Sequence, residues 1–324
     1  MIDPLRIAAV QFHSAEFDKV ANLARMESFV SGASAKGAHV VSFPEICITG
    51  YNWILYTDDD THLLDVAETV PEGPSATRII DMAKKHNVAI GFGLLEREVD
   101  RLYNTYVVAR PDGTWERYRK IHAFENSRMS QGDGHIIFDL FGWTCSTLIC
   151  FDNNLPENPR ICALSGCEIL FAPHQTGGFD MDVAGMGRID RKLWENGGTD
   201  PEALRKEFQG PKGREWIVKW LPSRSYDNGM YTIFTNGVGW DHDEVRTGNT
   251  MIIDPSGIIQ AESTAIDADM IITDLHRDAL EGTLGRMHTK TRTPHLYADL
   301  TTPSTTSADT RSARNELTKR SRIV

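Results

Sequence analysis

The sequence predicts an α/β protein built as a four-layer α-β-β-α sandwich, in which two sheets face each other between outer helices. Short apolar runs alternate with segments whose apolar residues recur at helical spacing. The two halves of the chain share a pattern, because Gly37 to Pro44 parallels Gly166 to Pro173 with the glycines and the prolines each 129 residues apart. Asn104 to Gly113 parallels Asn249 to Gly257 in a similar way. Two such halves, each a sheet with helices on one face, can pack their free faces together.

The first half begins with a mostly buried strand and a helix. Leu5 to Phe12 is apolar enough for a buried strand, and the helix predicted over 17–36 has an apolar stripe formed by Val20, Leu23, Met26, Phe29 and Val30. The next strand ends at Phe43 and presents Glu45. The remaining predictions for this half are a helix over 75–86, strands over 88–96 and 102–110, and a turn at 111–113 that leads to Lys120.

The second half is organised around a cysteine at the end of a strand. The apolar run from Ser146 ends at Cys150, and Pro156 with Glu157 begins the following helix. Free backbone N–H groups and the positive end of a helix can lower the pKa of a thiol at such a junction, as a nucleophilic cysteine requires. The alternative is that Cys150 only fills the core, which is commoner for a cysteine that ends an apolar run.

Length and composition limit the classes of protein. With 324 residues, 40% of them hydrophobic, the chain can bury a large core, and we predict one main domain. The formal net charge of −11 argues against nucleic acid or an anionic membrane as the main partner. Small neutral or cationic substrates remain compatible with this charge.

The N-terminal segment and the cysteines indicate a reducing compartment. The chain passes from Met1 into an apolar strand without a basic stretch or a signal sequence, and we expect a cytoplasmic protein. Five cysteines, an odd number, do not suggest a disulfide framework. A zinc site is the rival interpretation of the cysteines between Cys145 and Cys167, but Cys145 and Cys150 are predicted to point to opposite faces of one strand.

Three of these segments resemble the carbon–nitrogen hydrolase (nitrilase) superfamily, whose members use a Glu-Lys-Cys triad. The similar motifs are FPEICITGY at Glu45, YRKIH at Lys120 and CFDNNLPENPR at Cys150, in the family's order. Weaker similarity extends the match to about residues 5–300. The resemblance implies the same α-β-β-α sandwich, a domain over 1–300, no metal and no organic cofactor.

The resemblance also implies catalytic roles. Cys150 would attack the carbonyl carbon and form a thioester, Glu45 would move protons, and Lys120 would hold the oxyanion. A second glutamate often assists in this family, seven residues before a glycine, and Glu125 with Gly132 fits that spacing. Glu125 stands only five residues after Lys120, a shorter interval than in many relatives.

The motif around the cysteine bears on the substrate. Cys150-Phe151-Asp152 is typical of the amide-hydrolysing branches, whereas nitrilases tend to have Cys-Trp-Glu, so a linear amide or carbamoyl compound is predicted. Asn154 occupies a position where many carbamoylases have an arginine, which argues against that mode of binding an N-carbamoyl amino acid. The candidate substrate-binding residues lie in loops after strands, and they are Tyr51, Trp53, Phe124, Asn153, His174, Gln175 and Thr176.

Two segments differ from the family pattern. Residues of about 178–213 form an insertion relative to the family, predicted to be a surface loop, a lid or a subunit contact. Residues 301–324 are rich in Thr, Ser and charge, and they are predicted to be a disordered tail or to lie at a subunit interface. The resemblance further implies a homodimer or a larger homo-oligomer.

Two other functions remain compatible with the sequence. One is a nitrilase that converts a nitrile to an acid and ammonia on the same triad. The other, from a different class, is a binding protein that keeps the fold without catalysis, and the complete triad argues against it.

Overall fold

The computed structural model describes residues 2–179, 186–303 and 308–321. It has the predicted four-layer architecture, with two large sheets of six strands each and helices on the outer faces. The first sheet contains β1 (Leu5–Gln11), β2 (Val40–Ser42), β3 (Ala89–Glu98), β4 (Arg101–Ala109), β5 (Trp115–Arg119) and β14 (Asp269–Leu275). The second contains β6 (Phe138–Leu140), β7 (Trp143–Thr147), β8 (Ile169–His174), β9 (Tyr231–Asn236), β12 (Met251–Ile253) and β13 (Ile259–Glu262).

A small hairpin and a set of helices complete the described part of the chain. The hairpin pairs β10 (Val238–Asp241) with β11 (Glu244–Thr247). The helices of the first half are α1 (Lys19–Ala35), α2 (Trp53–Tyr56), α3 (Asp60–Val66) and α4 (Pro74–His86). Those that follow are α5 (Glu157–Leu164), α6 (Arg191–Glu195), α7 (Pro201–Gln209), α8 (Arg214–Ile217), α9 (Leu221–Tyr226), α10 (Leu284–Lys290) and α11 (Thr310–Ser321).

The strand orders confirm that the two halves repeat one unit. The first sheet has the order β14-β1-β2-β3-β4-β5 and the second has the order β6-β7-β8-β9-β12-β13 when read in the same sense. In each sheet the second, third and fourth strands are mutually parallel, and the flanking strands are antiparallel. The repeated sequence segments lie at equivalent strands of the two sheets. β2 and β8 are the third strands in these orders, and β4 and β12 are the fifth.

The two faces of β1 show how the layers are assembled. Ile7 and Ala9 belong to the core between the sheets, whereas Ala8 and Val10 belong to the core under α1 and α4. Successive side chains of a strand point to opposite faces, so an uninterrupted apolar run is required where both faces are covered. This explains why the strands of the sequence are apolar runs rather than alternating patterns.

The predicted helix 17–36 differs slightly from the observed α1. The helix begins at Lys19 because Asp18 caps it by accepting a 2.9 Å hydrogen bond from the Ala21 N–H. Leu23, Met26 and Val30 are buried as expected, but Val20 is 72% exposed. The prediction for Val20 was wrong because this first-turn residue lies at the edge of the buried stripe, where the helix does not yet contact the sheet.

The predicted insertion leaves and rejoins the fold at one place. The Gly178 N–H donates to the Lys212 carbonyl at 3.1 Å, so the two ends of the segment are adjacent. Leu204 and Phe208 of α7 pack against Val238 and Val245 of the small hairpin. Residues 180–185 of this segment lie outside the described residues, and the lid and subunit-contact hypotheses for the whole insertion remain predictions.

The C-terminal segment, residues 301–324, contains a helix in its described part, and its assignment as a disordered tail or a subunit interface remains a prediction. Residues 310–321 form α11, and its first turn is stabilised by Asp309, which accepts a hydrogen bond from the Ser312 N–H at 3.1 Å. Within the described residues, no helix is long and apolar enough to cross a membrane.

Candidate active site

Glu45 lies in the loop that follows β2 and is fully buried. Its backbone is fixed from two sides. The Gln175 side chain donates a 2.9 Å hydrogen bond to the Glu45 carbonyl. On the other side Gly93 of β3 approaches so closely that a Cβ there would lie 2.8 Å from the carbonyl carbon of Glu45. The sequence thus needs glycine at position 93 to admit the loop that carries Glu45.

Lys120 lies directly after β5 and joins two carboxylates. Its Nζ donates to Glu45 Oε1 at 2.8 Å and to Glu125 Oε1 at 2.5 Å, and all three side chains are completely buried. Asn104 of β4 donates to the same two oxygens, at 2.6 Å to Glu45 and 2.8 Å to Glu125. The structure therefore brings Glu125 to Lys120 despite the short interval between them. The Asn104 amide is thus a second hydrogen-bond donor, besides Lys120, to the carboxylates of Glu45 and Glu125.

Cys150 stands at the start of a short 3-10 helix over Cys150–Asn154. Its φ is 49°, in the left-handed region, which costs a residue with a side chain about 1 kcal/mol or more. Asn153 holds this turn, since its Nδ2 donates to the Leu148 carbonyl at 2.7 Å and the Cys150 carbonyl at 3.3 Å. The turn directs the thiol into a cavity, and the residue is only 5% exposed.

The pKa of the Cys150 thiol is raised, which contradicts the expectation that the strand-to-helix junction lowers it. Burial is the largest cause, and the Glu45 carboxylate adds to it, whereas the Lys120 ammonium and the Gln175 backbone N–H oppose it. The expectation was wrong because the junction is a turn of 3-10 helix in a buried site. The thiol is neutral at rest and needs a base to become a nucleophile.

Glu45 has the properties of such a base. Burial raises its pKa, the Lys120 ammonium lowers it, and the Glu125 carboxylate raises it again, with a net increase above the ordinary value. Its second oxygen, Oε2, is buried and has no hydrogen-bond partner among the described residues. For Lys120, burial acts to lower the pKa, but the carboxylates of Glu125 and Glu45 outweigh it and the pKa is well above normal. Lys120 is therefore a fixed positive charge.

Asp152 joins the loop after Lys120 to the turn after Cys150. Its carboxylate accepts hydrogen bonds from the Tyr118 hydroxyl at 2.8 Å and from the His122 N–H at 2.9 Å. The His122 ring lies at 2.8 Å from the same carboxylate. The sequence motif assigned Asp152 to substrate preference, and in the structure Asp152 connects the loop after Lys120 to the turn that begins at Cys150.

A cavity of about 580 Å³ opens in front of Cys150. Its walls are mainly apolar and aromatic, from Phe124, Phe151, Leu155, Phe179, Met186 and Trp216. Thr176, His122 and Asn154 contribute polar atoms, and residues 308–317 of the C-terminal segment close one side. A carbonyl compound in this cavity would present its apolar part to the aromatic rings and its reactive carbon to the thiol.

Of the predicted substrate-binding residues, two line the cavity and five do not. Phe124 and Thr176 line the cavity. Trp53 does not, because it packs with Ile54 and Leu63 and donates its indole N–H to the Gly50 carbonyl at 2.9 Å. The others support the site from behind, and these are Tyr51, whose ring centre is 5.9 Å from Lys120 Nζ, together with Asn153, Gln175 and His174.

The location of His174 in the sequence did not predict its environment correctly. Its ring packs against Trp220 and Phe234, with centroid distances of 5.6 and 4.8 Å, and burial lowers its pKa well below the ordinary value. It is a neutral core residue. The sequence also missed Asn104, Phe179, Trp216 and Arg314, and of these only Asn104 had a signal, since it begins one of the repeated segments.

The fold and the site together define a class of protein. An α-β-β-α sandwich holds a buried ammonium between two carboxylates beside a cavity that a cysteine lines. The carbon–nitrogen hydrolase family model matches residues 6–283. The chain belongs to the carbon–nitrogen hydrolase family.

Named relatives include both nitrilases and amidases. A nitrilase of Pyrococcus abyssi is 34% identical over 274 residues, which cover 84% of this chain and 89% of that protein. The omega-amidase NIT2 of Homo sapiens is 31% identical over 277 residues, covering 81% and 86%. An amidase structure from Nesterenkonia sp. superposes with a TM-score of 0.68 at 19% identity, covering 93% of this chain and 98% of that one. A structure of a mutant of the amidase from Nesterenkonia sp. AN1, which superposes with a TM-score of 0.68 at 18% identity over 91% of this chain and 96% of that one, shows the acetamide moiety of fluoroacetamide added covalently at its active-site cysteine.

Proposed function

We propose that this enzyme hydrolyses the C–N bond of a linear amide or carbamoyl compound through a thioester on Cys150, releasing ammonia or an amine. The observation that carries the proposal is the buried Glu45-Lys120-Glu125 cluster beside the thiol. Glu45 has a free buried oxygen for a proton, and Lys120 has a fixed charge for an oxyanion. A thiol with a raised pKa becomes a nucleophile only when such a base takes its proton.

Acylation of the thiol uses Glu45, Lys120 and Cys150 together. Glu45 takes the thiol proton as the sulfur of Cys150 bonds to the carbonyl carbon. The negative charge that develops on the carbonyl oxygen is stabilised by the Lys120 ammonium and a backbone N–H of the turn that begins at Cys150. Glu45 then returns the proton to the leaving nitrogen as the C–N bond breaks, and the acyl group remains on sulfur.

Deacylation reverses the roles. Glu45 removes a proton from water, the water oxygen bonds to the thioester carbon, and the C–S bond breaks. The proton passes to the leaving thiolate, which restores the neutral thiol. Glu125 and Asn104 keep Lys120 and Glu45 in place through both steps, since both bond to the same pair.

The first prediction tests the nucleophile. We expect Cys150→Ala to reduce ammonia release from a panel of linear amides and carbamoyl compounds by about 10³-fold or more. Intact-protein mass spectrometry of the wild type should show an acyl adduct that the variant lacks. Cys145→Ala is the matched control, because Cys145 is buried like Cys150 but does not line the cavity. An adduct that persists in Cys150→Ala would contradict the mechanism.

The same panel separates amide from nitrile chemistry. Including nitriles of the same carbon skeletons tests the preference predicted from Cys150-Phe151-Asp152. Faster ammonia release from the nitriles than from the amides would instead assign the enzyme to nitrile hydrolysis. Inertness toward every member, with no adduct, would favour a binding protein.

We also propose a homodimer or larger homo-oligomer. The outer face of α5 and the short 3-10 helix Pro294–Leu296 expose apolar side chains, with Ile161 41%, Leu164 45% and Leu296 69% exposed. Sedimentation equilibrium would show a mass above the 36.3 kDa chain if this face associates.

A further inference from the structure

The turn that begins at Cys150 is held at its far end by an arginine from another part of the chain. The 3-10 helix over Cys150–Asn154 leaves carbonyls at its end without a donor inside the helix. Arg224 of α9 donates from Nε to the Asn153 carbonyl at 2.6 Å and from Nη2 to the Asn154 carbonyl at 2.9 Å. One guanidinium therefore fixes two consecutive peptide groups of this turn.

The contact between Arg224 and Asn153 extends to the peptide bond that follows the nucleophile. The Asn153 side chain donates to the Cys150 carbonyl at 3.3 Å. Because a peptide unit is planar, the orientation of this carbonyl also sets the direction of the Phe151 N–H. The Phe151 N–H has no acceptor among the described residues. It is therefore available to donate to the oxygen of a carbonyl compound that bonds to the thiol.

Arg224 makes these contacts from outside the cavity. It is not among the described residues that line the cavity, and it lines a separate surface pocket of about 390 Å³ together with Asp227 and Glu157. Its guanidinium carbon lies 5.8 Å from the centre of the Trp220 ring. Burial lowers the pKa of Arg224, whereas the carboxylates of Asp227 and Glu157 oppose that change, and an arginine stays protonated in either case. The guanidinium thus acts on the turn without contact with the substrate.

Taking the proposed thioester chemistry as the reaction, we propose that Arg224 is a positioning residue for the oxyanion, because it fixes the turn in which the Phe151 N–H meets the charge on the carbonyl oxygen. That charge is present only once the sulfur has bonded to the carbonyl carbon. Arg224 therefore stabilises the transition state more than the bound substrate, and its loss lowers kcat rather than raising KM. A residue that only stabilised the fold would change the free energy of unfolding and leave the kcat of the folded enzyme unchanged.

The variants replace the guanidinium and measure kcat and KM for the amide of the panel that has the highest kcat/KM. We expect Arg224→Met to lower kcat about 10-fold to 100-fold while KM changes by less than about 3-fold. Arg224→Lys should have an intermediate kcat, because an ammonium is a donor but lacks the fixed fork of a guanidinium. Arg110→Met is the matched control, since Arg110 donates from Nε and Nη2 to the Asp139 carbonyl at 3.2 and 2.9 Å and is not among the described residues that line the cavity. The control should lower stability and leave kcat unchanged.

The surface pocket allows the missing group to be supplied from solution. Arg224→Ala leaves a space that opens to this pocket, so guanidinium chloride, well below the molar concentrations that unfold proteins, should raise the kcat of this variant until the space is saturated. The wild type and Arg110→Ala should not respond. A wild-type kcat in Arg224→Met, a change confined to KM, or an equal loss of kcat in Arg110→Met would overturn the proposal.

Binding of an aldehyde separates this inference from the proposed hydrolysis. The Cys150 sulfur bonds to the aldehyde carbon, the thiol proton passes to Glu45, and the oxygen becomes an oxyanion without any C–N bond breaking. Calorimetric titration with acetaldehyde, propanal and butanal should show binding about 10-fold to 100-fold weaker in Arg224→Met than in the wild type.

The outcomes of the two experiments then divide as follows. If the wild type hydrolyses no amide but the difference in aldehyde binding is present, the proposed hydrolysis fails and the role of Arg224 stands. If amides are hydrolysed and Arg224→Met equals the wild type in kcat and in aldehyde binding, the role of Arg224 fails and the hydrolysis stands. A wild type that neither hydrolyses an amide nor binds an aldehyde would overturn both.

Discussion

Asn104 contacts both of the carboxylates that bind Lys120. Its amide donates to a carboxylate oxygen of Glu45 at 2.6 Å and to one of Glu125 at 2.8 Å. Donors that contact an ionised carboxylate favour that form, and the Asn104 hydrogen bond lowers the pKa of Glu45 against the larger effect of burial. A neutral residue in the strand thereby opposes part of the increase in the pKa of Glu45 that burial causes.

The pH profile should report this contact. Glu45 acts in its deprotonated form, so kcat/KM rises as the pH increases through the raised pKa of Glu45. Removing a donor that lowers this pKa moves the rise to higher pH. We therefore expect Asn104→Leu to shift the acidic limb of the kcat/KM profile toward alkaline pH.

The control uses the repeat of the fold. Asn249 follows the corresponding pattern in the second half, and its amide donates to the carbonyls of Phe208 and Thr247 at 3.0 and 2.9 Å. Asn249→Leu should lower stability without moving the acidic limb. Identical profiles for Asn104→Leu and the wild type would show that this amide does not affect the base.

At the scale of elements, the spacing between β3 and the loop after β2 determines where Glu45 lies. A Cβ at Gly93 would stand 2.3 Å from the Ile46 backbone nitrogen and 2.8 Å from the Glu45 carbonyl carbon. Real Cβ atoms do not approach backbone atoms so closely, so the loop would have to move away from the strand. A displacement of about 1 Å in a catalytic group can cost about 10²-fold in rate.

We expect Gly93→Ala to lower kcat by about 10²-fold while the protein remains folded, as measured by circular dichroism and steady-state kinetics. The matched control is Gly32→Ala in α1, where a Cβ would meet nothing within 4 Å. That substitution should stabilise the helix by about 0.5–1 kcal/mol and leave kcat unchanged. Full activity in Gly93→Ala would mean that the loop tolerates the shift.

At the scale of the whole molecule, the site is assembled across both halves of the repeat. Glu45 and Lys120 follow strands of the first sheet, and Cys150 follows a strand of the second. Hydrogen bonds join the halves at this place, since Thr235 of β9 donates to the Phe43 carbonyl at 2.9 Å and Gln175 donates to the Glu45 carbonyl at 2.9 Å. Neither half alone contains the proposed catalytic set.

Arg246 ties three distant segments behind the cavity. Its side chain is 1% exposed and forms ion pairs with Glu244 at 2.9 Å and Asp241 at 3.2 Å. It also donates to Asn52 at 2.7 Å and to the Gly177 carbonyl at 3.3 Å, where the insertion begins. The loop after Glu45, the small hairpin and the base of the insertion are thereby joined by one buried cation.

Removing that cation should destabilise the whole domain. Arg246→Met leaves the buried carboxylate of Glu244 without this partner, and we expect a loss of about 3–5 kcal/mol in the free energy of unfolding by urea titration. Arg78→Met is the control, because Arg78 forms an exposed pair with Glu27 at 3.5 Å and should change stability by less than about 1 kcal/mol. Equal losses in the free energy of unfolding for Arg246→Met and Arg78→Met would show that the buried ion pairs of Arg246 stabilise the domain no more than an exposed pair does.

The sequence by itself determined the two-sheet architecture and the identity of the chemical groups. Apolar runs and helical spacing are local properties, and the repeated Gly-to-Pro segments indicate that β2 and β8 are equivalent strands. The motifs at Glu45, Lys120 and Cys150 also lie at strand ends in the sequence, where a sheet gathers side chains.

Only the tertiary structure decided the thiol's charge, the cavity lining and the course of the C-terminal segment. The pKa of Cys150 depends on burial by residues far away in the chain, which no local pattern reports. Trp53 begins α2 and His174 ends β8, and both pack against apolar or aromatic side chains instead of lining the cavity as Phe124 does. Arg314 lies among charged residues that resemble a solvated tail, and it reaches the cavity because α11 packs over the opening. Contacts between segments distant in sequence determine these features.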